Sequence, residues 1–192
     1  GMFKSACALR QEQLNAIQSG HSGPAIQILV ALASSVQEYV ETLSFLETAL
    51  KGDSGNEVRI RPHPEFSLES ALAIRPLPGP QFYSESTGSL ADDLEWADVV
   101  LYASSTVGLE AVSMGIPAVY LDLGNFLNTD PMNGWGEFKW QVKKPSDLAA
   151  TLQQIKDIPE EEFQTLQIRG RDYVRDYLKP VTHESLAAFW EW

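Results

Sequence analysis

The chain has 192 residues, 44% of them hydrophobic, with five tryptophans; that is enough for one well-buried domain and excludes a disordered chain. Its formal net charge of −12 excludes a general DNA or RNA binder, which needs clustered Lys and Arg to neutralise phosphates. A single cysteine, Cys7, leaves no internal disulfide and fits a reducing cytoplasm.

Gly1 and Met2 read as a tag remnant, so the chain is expected to be cut from a longer protein. Residues 5–19 carry Leu9, Leu14 and Ile17 and predict a lead-in helix, so 1–24 reads as a linker segment. Residues 25–32 are almost continuously apolar, the mark of a strand covered on both faces. Ala33, Ser34 and Ser35 form a small polar turn. In 36–51, Val36, Val40, Leu43, Leu46 and Leu50 recur at three- and four-residue steps, which predicts an amphipathic helix. Val58, Arg59, Ile60 and Arg61 form a second strand, closed by Pro62, His63 and Pro64. Arg61 alternates with the apolar positions and is expected to face solvent. A short helix is expected over 67–73. Pro76, Pro78 and Pro80 then enforce an extended segment, and 82–84 a short strand. Ser89 is placed to cap a helix over 90–96, with Asp92 and Asp93 in the first turn, where acids complement the helix dipole.

Residues 98–102 are apolar and β-branched, a buried strand. Ser104, Ser105 and Thr106 follow, then a helix over 107–114 that Gly115, Ile116 and Pro117 stop. Residues 118–121 form the next strand. A long loop over 122–136 comes next, of a length often functional or mobile, and then a short strand over 138–142. Pro145 opens a helix to about 156, and Pro159 opens another to 178. Residues 182–192 form a terminal helix, so 179–192 is set apart from a main domain over 25–178. The aromatic end, Phe189, Trp190 and Trp192, packs either on this domain or on a missing one. No apolar run approaches the roughly 18 residues of a membrane helix, and no transmembrane segment is expected.

Alternation of strands and helices predicts an α/β domain, Rossmann-like and doubly wound, with a mostly parallel sheet and helices on both faces. Ligands of such sheets lie at the carboxyl ends of the strands, near the switch in strand order. The turns at Ser34–Ser35, at His63 and at Ser104–Ser105–Thr106 all follow strands and should converge there. A strand leading through small hydroxyl residues into a helix N-terminus offers free N–H groups and a positive dipole end to an anion. The same triplet equally serves as a helix cap. Glu110 stands one helical turn after Thr106, where it faces the same ligand or solvent; its apolar neighbours predict a largely buried helix in which a glutamate needs a partner. His63, held between two prolines, is either a stiff hydrogen-bond donor to a phosphate or a surface-loop histidine. Three His and one Cys have no metal-ligand spacing. The dinucleotide fingerprint, the P-loop and the nucleophile elbow are all absent.

Arg61–Pro62–His63–Pro64, then Asp98 through Ala111, then Gly115–Ile116–Pro117–Ala118 together resemble the C-terminal, nucleotide-sugar-binding domain of GT-B glycosyltransferases. The group most resembled carries a His-Pro and a Ser-Ser/Thr motif: bacterial sialyltransferases, polysialyltransferases and CDP-glycerol glycerophosphotransferases of capsule and teichoic-acid synthesis. The resemblance spans residues 25–155. It implies that His63, Ser104, Ser105 and Thr106 contact the donor phosphate and that Glu110 binds its ribose. Many retaining members carry a second Glu eight residues before that one, where this chain has Tyr102. The resemblance also implies a missing N-terminal domain that supplies the acceptor site and, in inverting members, the catalytic base; within this chain only His63 is a catalytic candidate. The partners implied are a nucleotide-activated sugar, as substrate with no further cofactor, and that second domain. Peripheral membrane contact is compatible with the group, and the location expected is the cytoplasm. Two alternatives remain open: a nucleotide-sugar epimerase of the UDP-N-acetylglucosamine 2-epimerase type, and a non-catalytic interaction domain of the same fold.

Overall fold

The computed structural model describes residues 25–51, 55–76, 83–125, 127–179 and 186–187. The expected lead-in helix, the segment with Pro78 and Pro80, and the terminal helix apart from Leu186 and Ala187 lie outside the described residues.

Six strands form one sheet: β1 (Gln27–Ala31), β2 (Glu57–Arg61), β3 (Ser84–Glu85), β4 (Val99–Tyr102), β5 (Ala118–Leu121) and β6 (Lys139–Val142). The order is β3-β2-β1-β4-β5-β6. Every pairing is parallel, so the sheet expected to be mostly parallel is wholly so among the described residues. The chain builds outward from β1 to β3, crosses back, and builds outward again from β4 to β6. The switch point lies between β1 and β4, whose registers include Ile28 opposite Val99 and Ala31 opposite Tyr102. Both strands are buried along nearly their whole length, which is why they read as unbroken apolar runs.

Alternate strand residues feed two cores. On one face Ile28, Val30, Ile60, Leu101 and Val119 pack against helices α1 (Val36–Ala49), α2 (Leu68–Ile74) and α5 (Leu148–Lys156). On the other, Leu29, Ala31, Val100, Tyr102 and Tyr120 pack against α3 (Leu90–Trp96), α4 (Val107–Met114) and α6 (Glu160–Tyr177). The period of two along each strand is what allows one sheet to serve both layers.

Local chemistry sets the helix ends. Ser89 and Asp92 form a reciprocal capping box at the start of α3. Gly115 ends α4 in the left-handed region at φ 79°, where a side chain would be strained. Gly108 is required for a different reason. A Cβ there would stand 2.7 Å from the Tyr102 ring, so only glycine lets α4 lie directly on the end of β4.

Candidate functional site

Because all strands point the same way, the turns after β2, β1 and β4 lie side by side at the carboxyl edge of the sheet. The tertiary structure ties them together through two adjacent residues in the first turn of α1. Ser104, after β4, donates its Oγ–H to Glu38 Oε2 at 2.7 Å and its backbone N–H to Glu38 Oε1 at 3.1 Å. His63, after β2, donates its backbone N–H to the Tyr39 hydroxyl, which in turn donates to the Phe66 carbonyl at 3.1 Å. Tyr39 is 1% exposed. Its phenol is pushed above the ordinary tyrosine range by burial and by the negative charge of Glu85, although the His63 amide acts the other way. It therefore stays a neutral hydroxyl that both accepts and donates.

His63 itself is half-buried. Its Nδ1 accepts from the Glu65 N–H at 3.3 Å, so in the neutral ring the hydrogen resides on Nε2, which is then a donor. Ser105 Oγ accepts from the Val107 N–H at 3.3 Å, a local turn that opens α4. Thr106 occupies the N-cap position in right-handed helical geometry, is exposed and makes no side-chain cap bond. The amides of Ser105 and Thr106 have no partner among the described residues.

Two expectations are corrected. Glu110 lies on the solvent face of α4 rather than in a buried setting; Gly108, Leu109, Ala111 and Val112 face the sheet and α6, and the first-turn glutamate falls on the remaining stripe. Arg61 is not a free surface cation. It and Arg59 converge on Asp93 of α3, with Nη1 to carboxylate distances of 2.7 and 3.0 Å. Asp93 is 1% exposed and also accepts from Ser86. Arg59 lies 3.9 Å above the Trp96 ring.

The long loop after β5 is pinned by a second buried acid. Asp130 accepts from the Tyr102 hydroxyl at 2.7 Å, from the Met132 N–H at 2.9 Å and from Lys139. Burial, together with the Asp130 charge, raises the Tyr102 phenol far above its usual range. Trp135, further along the same loop, stacks on Tyr173 of α6 with centroids 4.3 Å apart.

Glu38 and Tyr39 were not singled out from the sequence. Tyr39 left a trace: it falls on the apolar face of α1, three residues after Val36 and four before Leu43, and a phenol in a core needs a partner. Glu38 left none. A first-turn acid reads as a dipole complement, and its partner is 66 residues away.

This strand order and the placement of helices on both faces have close parallels. The chain is similar to the crystal structure of TarM, with a TM-score of 0.60 and 13% identity over 87% of this chain and 35% of that one. It is similar to the wall teichoic acid polymerase TagF in its H548A form, with a TM-score of 0.54 and 16% identity over 94% of this chain and 46% of that one. It is similar to the C-terminal domain of a group 1 glycosyl transferase, LpcC, from Francisella tularensis, with a TM-score of 0.51 and 13% identity over 90% and 94% of the two chains. The fold is that of one Rossmann-like half of a GT-B glycosyltransferase. It spans about a third of the length of TarM but nearly all of the isolated LpcC domain. The same fold recurs in a UDP-N-acetylglucosamine 2-epimerase from Listeria monocytogenes, with a TM-score of 0.53 and 14% identity over 76% of this chain and 40% of that one. No family model matches the sequence, and no curated protein matches it. No helix among the described residues is long and apolar enough to cross a membrane.

Proposed function

We propose that this chain is the donor-binding half of a glycosyltransferase that moves a sugar, or a polyol phosphate, from a nucleotide-activated donor to an acceptor hydroxyl in surface-glycan synthesis. The observation that carries the reading is the adjacency of the His63 turn and the Ser104–Ser105–Thr106 turn on either side of β1, at the switch in strand order. That is where α/β sheets bind ligands.

The chemistry asked of the domain is modest. As the donor bond breaks, negative charge grows on the leaving nucleoside phosphate. The amides and hydroxyls of Ser105 and Thr106 and the Nε2–H of His63 supply preorganised donors to that charge, while Ser104 is held by Glu38 in the free chain. Glu110, on the exposed face of α4, would accept a ribose hydroxyl. His63 is the catalytic candidate among the described residues; the remaining base and the acceptor site are assigned to a second domain of the GT-B pair. The donor enters as substrate, with no further cofactor. The reading assigns the reaction to the cytoplasm, with peripheral contact at the membrane where the acceptor is lipid-borne.

Calorimetric titration of the intact protein with CMP, CDP, UDP and GDP tests this. One nucleotide should bind selectively. His63→Ala and Ser105→Ala should each weaken it by roughly tenfold, the scale of a hydrogen bond to a charged group, in a protein that still folds. A folded protein that binds none of the four would overturn the reading and favour an interaction domain.

A further inference from the structure

Glu38 presents a contradiction at a phosphate site. Its carboxylate takes both donors of Ser104, the hydroxyl and the amide, in a two-point contact. A phosphate group would seek that same pair of donors, because carboxylate and phosphate oxygens have the same acceptor chemistry. The charge is also uncompensated. Arg61 at the end of β2 is engaged with Asp93, and Lys143 just after β6 lies 3.5 Å from Asp122. Glu38 makes no ion pair among the described residues. Its neighbour Tyr39 anchors this turn of α1 to the His63 loop, and the Glu38 side chain is itself partly exposed.

We propose that Glu38 gates the site: in the free chain its carboxylate holds the place at Ser104 that a nucleotide's phosphate would take, and Ser104 joins the site only when that carboxylate is displaced. The inference rests on the donor-site reading above and adds a cost to it. A phosphate entering beside an ionised carboxylate is repelled, whereas a neutral hydroxyl is not. That repulsion falls with distance and is weakened by salt. After screening by salt, roughly a tenfold loss of anion affinity is the expected remainder.

The test uses the intact protein with Glu38→Ala and Glu38→Gln, the second keeping an acceptor for Ser104 in case the first fails to fold. Inorganic pyrophosphate and the four nucleotides are titrated by calorimetry, and the Ser104 amide is followed by NMR. Both variants should bind the anions roughly tenfold more tightly. Adding Ser104→Ala should weaken binding markedly in the Glu38→Ala background and little in the wild type, where the serine is already occupied. On ligand binding, the wild-type Ser104 amide resonance should move. If the wild type binds a nucleotide through His63 and Ser105 while both Glu38 variants bind equally or more weakly, the gate is overturned and the donor site stands. If no form binds pyrophosphate or any nucleotide, both fall together.

Discussion

Tyr39 shows how one phenol organises a site it need not touch. Its hydroxyl receives the His63 amide and gives its hydrogen to the Phe66 carbonyl, so a single side chain of α1 closes the Pro62–Phe66 turn from both ends. Tyr39→Phe keeps the ring and removes both bonds. With each worth on the order of 1 kcal/mol, the protein should lose about 1–2 kcal/mol of stability. The amide of His63 should exchange with solvent faster, and nucleotide affinity should fall because the imidazole is no longer held. Denaturant titration and hydrogen exchange read these effects; an unchanged exchange rate at His63 would show that the prolines alone hold the turn. The histidine and the hydroxyl triplet were legible as candidates because prolines and small polar residues after a strand have few other uses. Their fastening was not, since hydrogen-bond partners distant in the chain leave no periodic mark.

At the scale of elements, the joint between β2 and α3 depends on one buried charge. Asp93 accepts from Ser86, Arg61 and Arg59, which belong to the strand and to the link after β3. From the sequence Asp93 reads as a first-turn acid, and the cap expected at Ser89 is present, as a capping box with Asp92. The burial of Asp93 itself, next to an exposed Asp92, was invisible, because two successive aspartates look alike until the helix is rotated onto the sheet. Asp93→Ala leaves two partly buried guanidinium groups without their acceptor. Removing one partner of a buried pair typically costs about 3–5 kcal/mol; the arginines are about a quarter exposed here, so the lower end is expected. Thermal unfolding of the variant checks this. A loss below 1 kcal/mol would mean that water replaces the aspartate without penalty.

For the whole molecule, the aspartates set the acid limit of stability. Asp122 is held below the usual carboxylate range chiefly by the Gly124 amide, and then by Gln141 and Lys143. Asp92 is lowered by the Ser89 hydroxyl and amide. For Asp93, burial opposes ionisation, but the hydrogen bonds from Ser86, Arg61 and Arg59 outweigh it and the net shift is downward. Folded values below the unfolded value near 3.9 mean that the unfolded chain binds more protons between them. The stability these groups contribute is therefore full above about pH 4 and disappears as pH falls through the folded values. At the other end Tyr39, Tyr102, Tyr120 and Tyr173 are all raised, so their contribution is full below about pH 10 and fades above it. Melting temperature against pH should show a plateau between those limits, with a shallower acid limb in Asp93→Asn. An acid limb equally steep in that variant would remove Asp93 from the account.

The sequence by itself determined the class of fold and set the turns of the candidate site on one edge of the sheet. Strands buried on both faces must be unbroken apolar runs, and turns that follow parallel strands must share one edge. It also determined most helix boundaries, because Ser89, Gly115, Pro145 and Pro159 act on residues within a turn of themselves. Only the tertiary structure decided the charges. It buried Asp93 between two arginines, turned Glu110 outward, and laid Glu38 across Ser104. Each outcome depends on how a helix is rotated about its axis against the sheet. That rotation is set by packing of the apolar stripe as a whole, so the polar residues beside the stripe acquire partners that no local pattern specifies.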